Sequence, residues 1–415
     1  MHIAIIGGGA AGLMAAAAAQ ETTPAATISL IERNPSLGKK VIISGGGRCN
    51  VTTGLHDIRA VLSRYPRGGK FLSSAMRRFP PAWTIAWFEA HGVPLKTEED
   101  LRVFPRSDDG KDVVAVFERL FRAPDSHVRP LLGRHAVAVA KTAHGFAVSF
   151  RSGAPLTADR LILTTGGQAY RQTGSTGDGY AFAESLGHRI TPLAPSLNSF
   201  FSKETWPKEL SGLSVPRAKL SAPGVLHAAY VGPFLFTHRG VSGPAVFALS
   251  ALVAFERFDA AHPLPITIDL FPDEKAEALA ARLAETFRAN GKKSIKTVLG
   301  FLLPKALAAV LVAEVDVEGE EQAAQASKKD VTACVRWMKG MPLTVIGRGA
   351  GDEFVTAGGV DTDEVNPRTM ESRICPGLFF AGEILNVDGF TGGFNLQASW
   401  ATGRVAGENS AGVFP

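Results

Sequence analysis

The sequence predicts an α/β fold. One Rossmann-type domain is assembled from both ends of the chain and interrupted by a β-rich domain that carries a small helical subdomain. Three observations predict it. A strand runs through a glycine turn into an alanine-rich helix at residues 2–19. A strand, a glycine run and a second alanine-rich helix occupy the last 60 or so residues. Between them the character changes. Proline and glycine break up β-rich segments from Pro195 to Pro272, and a stretch rich in Ala, Leu, Glu and Lys runs from Asp273 to Lys339.

The first element reads His2-Ile-Ala-Ile-Ile followed by Gly7-Gly-Gly9-Ala10-Ala11-Gly12. In a GxGxxG turn the first glycine permits the tight bend and the second lets the backbone approach a pyrophosphate. The third lets the helix pack close to the strand. The helix N-terminus then offers free N–H groups to the phosphates. A second strand, Thr27 to Ile31, ends in Glu32, 20 residues past Gly12, where a carboxylate binds ribose hydroxyls. Glu rather than Arg at this point argues against a 2′-phosphate. This context makes a ligand-free glycine turn a poor explanation.

More α/β material is expected from about 130 to 190. Strands at Ala136–Ala140, Phe146–Arg151 and Arg160–Thr165 lead there into a glycine-rich turn. In the middle region, strands are expected within Gly224–His238 and Leu264–Phe271. Helices are expected around Leu279, Leu283 and Phe287 and again from Val298 to Val312. The expected division is 1–192 with 356–415 for the cofactor domain, 193–271 with 340–355 for the β-rich domain, and 272–339 for the helical insertion.

The C-terminal part distinguishes one dinucleotide from another. Leu378-Phe-Phe-Ala-Gly382-Glu383 is a strand ending in Gly-Glu, as FAD proteins of the two-domain glutathione-reductase type use to hold the ribityl chain. It leads to Gly389-Phe-Thr-Gly392-Gly393-Phe-Asn395-Leu396-Gln397 and a helix to about Val405. A second helix N-terminus would face the flavin ring and favour its reduced anion by about 0.3–1 kcal/mol, or about 2 if partly buried. The expected cofactor is FAD. No second GxGxxG follows a strand: Gly347-Arg-Gly349-Ala-Gly351 leads into Glu353–Thr356, which reads as a strand. NADH or NADPH is therefore expected only as a transient electron donor.

Composition adds exclusions. The chain has 415 residues, 45% hydrophobic and 20% charged, with a formal net charge of +5. No apolar run is long enough for a bilayer, and the N-terminus has no basic region ahead of an apolar core. The expectation is a cytoplasmic protein without a membrane anchor. Cys49, Cys334 and Cys375 lie far apart, so neither zinc nor a disulfide framework is expected, and no metal. No obligate protein partner is evident. One tract stands out: Arg59, Arg64, Arg67, Lys70, Arg77 and Arg78 come with no acid between them, and Tyr65, Phe71 and Phe79 are interleaved. It could track a phosphate backbone. A solvated helix face with its aromatics turned inward explains it somewhat better.

Several motifs then converge. They are Ser44-Gly45-Gly46-Gly47-Arg48-Cys49-Asn50, Gly174-Ser-Thr-Gly177-Asp178-Gly179, Phe236-Thr-His238-Arg-Gly240-Val-Ser242-Gly243-Pro244, Thr369-Met-Glu-Ser-Arg373, and the C-terminal Gly-Glu…Gly-Gly-Phe-Asn run. In this order along the whole chain they resemble the bacterial FAD-binding flavoproteins that include aminoacetone oxidase, the bile-acid 3-dehydro reductases and the ribosomal RNA dihydrouridine synthase. The resemblance implies an FAD domain, a β-rich substrate domain and a small helical domain. It implies either amine oxidation or hydride transfer from flavin to an activated C=C bond, with a proton delivered to the neighbouring carbon. Asn386 departs from the pattern, since many relatives have Asp there.

The expected cofactor contacts are Gly7, Gly9, Ala10, Ala11, Gly12, Glu32, Arg33, Lys40, Ser44, Gly45, Gly46, Gly47, Arg48, Asn50, Ala136, Thr165, Gly166, Gly167, Asp178, Gly382, Glu383, Gly392, Gly393, Asn395 and Leu396. For Asp178, capping the helix that follows is the better reading beside a cofactor contact. Cys49 is a candidate proton donor, although a small residue packed under the flavin accounts for it better. His238 is the other candidate, as imidazole is the usual general acid near neutral pH; a core histidine is at least as good a reading. The leading function is FAD-dependent reduction of an activated C=C bond in a small molecule or in a uridine of large-subunit ribosomal RNA. The alternative is an oxidase of a small amine or amino ketone that releases hydrogen peroxide. Chemistry is expected where the β-rich domain meets the flavin.

Overall fold

The computed structural model describes residues 1–349 and 353–412. The chain forms two compact units, Met1–Ser196 with Glu353–Pro415, and Leu197–Asp352. Gly351, in the glycine run after Gly347, lies outside the described residues.

In the first unit, the described residues form a five-stranded parallel sheet. It runs in the order Leu378–Phe380, Arg160–Leu163, His2–Ile6, Thr27–Glu32, Val128–Leu132. Apart from the largely exposed edge strand Val128–Leu132, the strands are near-continuous buried runs, as expected where helices cover a parallel sheet. Arg160–Leu163 stops short of the expected Thr165, because Thr164 and Thr165 turn into a glycine loop. The alanine-rich helix Ala10–Thr22 follows the first strand and is buried along Ala10–Ala19. It packs on the C-terminal helix Phe394–Ala411, which runs one and a half turns past the expected end. Small residues set that contact. A Cβ on Gly403 would lie 2.4 Å from Ala11 O, and one on Gly407 2.3 Å from Ala15 O. An antiparallel meander of Ala136–Thr142, Gly145–Phe150 and Leu156–Ala158 lies beside the main sheet in sequence.

In the second unit, Phe200–Ser202, Gly240–Ser242, Ala229–Thr237, Ser214–Ser221, Leu264–Asp269 and Met341–Arg348 close into a barrel. Alternation places Phe234 and Phe236 inside and Val231 and Leu235 outside. Residues 224–228 form a loop, so the expected strand begins only at Ala229. The helical stretch contributes Leu279, Leu283 and Phe287 to the same core as barrel residues such as Phe236 and Ile268. It does not continue through 298–312. Ile295–Leu299 and Lys305–Glu314 are separate helices, because Pro304 cannot donate to the helical ladder. Among the described residues, no helix is long and apolar enough to cross a membrane.

Candidate functional site: a split dinucleotide site

The glycine turn assigns each glycine a different task. Gly7 has φ +113°, and a Cβ there would lie 2.4 Å from Thr164 O on the adjacent chain segment. A Cβ on Gly12 would lie 1.9 Å from Gly7 O, so this glycine seats the helix on the turn. Gly9 is different, since a Cβ there meets nothing within 4 Å. The space beside it is open, at the N-cap of a helix with no side-chain cap. The first-turn N–H groups of Ala10 and Ala11 lack intrahelical partners by construction and are available to an anion. Glu32 also braces the turn, which the sequence did not reveal. Its Oε2 accepts from Gly8 N at 2.8 Å, and its Oε1 accepts from Asn34 N at 2.8 Å.

Next to Glu32 an open cleft of about 360 Å³ is lined by Arg33, His135, Ala136, Thr176, Asp178 and Phe182. Its size suits a nucleoside. Arg33 Nη1 donates to Thr176 Oγ1 at 2.7 Å and to Asp178 Oδ2 at 3.0 Å. Asp178 does not cap its helix: Gly177 is the N-cap, and the Asp178 carboxylate is drawn off to Arg33 and His135. Arg33, Ala136 and Asp178, three of the expected cofactor residues, line this one cleft. In the neighbouring loop, the buried Thr165 Oγ1 has no hydrogen-bond partner among the described residues. A Cβ on Gly167 would lie 2.4 Å from Thr356 Oγ1 and 3.1 Å from Glu383 Oε1.

Glu383 joins the two ends of the chain. Its Oε2 accepts from Lys40 Nζ at 2.7 Å and its Oε1 from Thr356 N at 2.9 Å. Gly382 takes φ +78° and donates its N–H to Thr402 Oγ1 at 3.0 Å. The Ser44–Asn50 loop follows Lys40. Gly46 and Gly47 are left-handed, and a Cβ on either meets nothing within 4 Å. Arg48 departs from expectation: its guanidinium pairs with Glu98 and Asp108 and lies 3.8 Å from the Phe104 ring centroid. Asn50 Oδ1 is likewise turned to Val103 N, at 3.3 Å.

Cys49 is fully buried, and burial pushes its thiol up to about 12, with a hydrogen bond to Ser44 acting the other way. This favours packing over proton donation. His238 lies in the barrel unit, just past Ala229–Thr237, and is exposed, so it is not a core histidine.

The C-terminal helix start is held by contacts that the sequence did not announce. Asn395 Oδ1 accepts from Gly389 N and its Nδ2 donates to Gly389 O, both at 2.8 Å. A Cβ on Gly393 would lie 2.2 Å from Thr52 O, so this glycine serves close packing. The buried Gln397 Oε1 accepts from Thr52 Oγ1 at 2.6 Å and Thr84 Oγ1 at 2.9 Å, and its Nε2 donates to Phe79 O at 2.9 Å. Leu396 is only partly buried beside them.

These groups fit FAD. The open Gly9 cradle and helix N-terminus suit the pyrophosphate, and the Arg33 cleft suits adenosine. Glu383, Lys40 and the unpartnered Thr165 hydroxyl suit the polar chain leading to the ring.

Comparison with known proteins agrees. Residues 1–409 match the family described as HI0933-like protein Rossmann domain. The 3-dehydro-bile acid delta(4,6)-reductase of Clostridium scindens is 31% identical over 412 residues, 99% of this chain and 98% of that protein. The ribosomal RNA dihydrouridine synthase of Escherichia coli is 31% identical over 379 residues, 90% of each chain. Among solved structures, a quinol-fumarate reductase superposes with a TM-score of 0.51 at 16% identity, covering 99% of this chain and 70% of that one. That last likeness concerns the fold.

Proposed function

The chain belongs to the HI0933-like family and is an FAD-dependent oxidoreductase, and from that premise we propose that it reduces an activated carbon–carbon double bond. The observation that carries this reading is chemical. Both relatives, similar to this chain over nine-tenths or more of its length, carry names that describe saturation: one a delta(4,6)-reductase of a 3-dehydro bile acid, the other a dihydrouridine synthase. When bound, FAD supplies the hydride. The chain's own residues anchor the pyrophosphate at Gly9, bind adenosine at Arg33 and fix the ribityl side through Glu383 and Lys40.

We further propose a uridine of large-subunit ribosomal RNA as the substrate. The basic tract supports it only in part. Tyr65, Phe71 and Phe79 are buried, as the helix-face reading expects. Arg67 and Arg78 pair with Asp388 and Glu408. Arg59, Lys70 and Arg77 are exposed, and Lys70 and Arg77 share the outer face of helix Gly69–Arg78. NADH or NADPH is the proposed electron donor. Deleting the gene and mapping dihydrouridine in the large-subunit RNA tests the substrate: one missing dihydrouridine is expected, and an unchanged pattern removes the RNA reading. Rapid bleaching of bound FAD by NADPH or NADH in stopped flow tests the donor. Neither relative named above is an oxidase, and no feature of the site favours the amine-oxidase alternative.

A further inference from the structure

The centre of the basic tract grips the loop that leads into the C-terminal helix. Phe390 N donates to Arg64 O at 2.9 Å. Tyr65 Oη donates to Phe394 O at 2.7 Å. The Arg67 guanidinium makes a bidentate pair with Asp388, and the two residues also form a backbone β-bridge. A Cβ on Gly68 would lie 2.5 Å from the Val387 side chain, and one on Gly389 3.0 Å from the Tyr65 ring. Four residues of one short stretch, Arg64, Tyr65, Arg67 and Gly68, thus hold Val387 to Phe394, the segment ending at the helix N-terminus.

Asp388 is the feature that needs explaining. Its side chain is fully buried and its carboxylate also accepts from Ser196 Oγ at 2.9 Å. A buried carboxylate six residues before a helix N-terminus opposes the positive field that such a terminus supplies. Burial pushes the Asp388 carboxyl up, and Arg67 pulls it back.

We propose that Arg67 is a positioning residue for flavin chemistry: by pairing with Asp388 it holds the Val387–Phe394 loop and cancels a buried negative charge at the start of the flavin-side helix. It acts through Asp388 and the loop. The residue type follows from the task. A planar guanidinium satisfies both carboxylate oxygens at once, which an ammonium cannot do. The same pairing withdraws Arg67 from the set of cations available to a phosphate backbone.

The proposal rests on the FAD reading and is tested on purified holoprotein by the midpoint potential of the bound flavin. Arg67→Met leaves Asp388 buried and uncompensated. The reduced flavin should then bind at least tenfold more weakly relative to the oxidised form, a fall of about 30 mV for a two-electron couple. Arg67→Lys should recover part of that fall. Asp388→Asn leaves Arg67 uncompensated and should raise the potential. It also serves as the deciding variant if Arg67→Met does not fold. Loaded variants with the wild-type potential overturn the proposal while leaving the FAD reading intact. A wild-type protein that takes up no FAD overturns both.

Discussion

Lys40 Nζ lies 2.7 Å from Glu383 Oε2, joining residues 343 positions apart. Both groups are mostly buried, with side-chain exposures of 28% and 15%, so the pair is not an ordinary surface salt bridge. Removing one partner leaves a partly buried charge without compensation. Lys40→Met should weaken FAD binding about tenfold or more, and equilibrium dialysis of FAD checks this. Glu383→Gln, which keeps the Thr356 N–H bond, should lose less. Equal affinity in all three proteins would remove the pair from the cofactor site.

The glycine turn predicts a contrast. Gly9→Ala places its methyl in open space, so the fold should keep its stability to within about 1 kcal/mol. FAD retention after gel filtration should fall steeply, because the phosphates need that space. Gly12→Ala drives a methyl into Gly7 O and should cost about 1–3 kcal/mol in chemical denaturation. Two variants with matching stability would contradict the division of labour within the turn.

Cys49 makes a clear kinetic prediction. Its burial and raised thiol pKa assign it to packing. Cys49→Ala should turn over within a few-fold of wild type with some loss of stability. Loss of a general acid would instead cost about 10²–10⁴-fold in rate, so a hundredfold fall in a stable variant would restore it as the proton donor.

For the RNA reading, Arg59→Ala, Lys70→Ala and Arg77→Ala combined should weaken RNA binding. Three lost phosphate contacts should reduce the slope of log K against log salt by about 2. Flavin reduction by the nicotinamide donor should be unchanged. An unaltered slope would place RNA contact elsewhere.

His188 predicts a pH dependence of stability. It is 4% exposed, and its Nε2 lies 2.8 Å from Ser372 Oγ. Burial holds it below its ordinary value of 6.5, with Glu364 acting the other way. The folded state therefore resists a proton that the unfolded state accepts. Stability from this group is full above about pH 6.5 and falls as pH drops below it, by at most about 1.4 kcal/mol per pH unit. Urea midpoints measured from pH 7.5 to 5 check this, and His188→Gln should flatten the profile. An identical slope in the variant would exclude His188.

The parts of the site that follow from local pattern were legible in the sequence. The 2–12 strand and glycine turn, the Glu32 strand end and the Gly382-Glu383 strand end all come from short-range spacing. The split of one domain between both chain ends was visible as a change of composition. The side-chain partners of Asp178 and Arg48 were not legible for one reason: each is captured by a residue distant in sequence, Arg33 in one case and Glu98 with Asp108 in the other. The Val298–Val312 periodicity hid a break because apolar spacing continues across Pro304 while the hydrogen-bond ladder does not.

By itself, then, the sequence determined the dinucleotide, the choice of FAD and the chemistry class, because glycine placement and strand ends are local constraints on the backbone. Only the tertiary structure decided what each charge does. It took Arg67 out of the basic surface and set it on Asp388, fixed Arg48 on Glu98 and Asp108, closed Cys49 in the core and joined Lys40 to Glu383. The physical reason is range. A turn is dictated by neighbouring residues, whereas a buried ion pair depends on chain segments that only packing brings within hydrogen-bond distance.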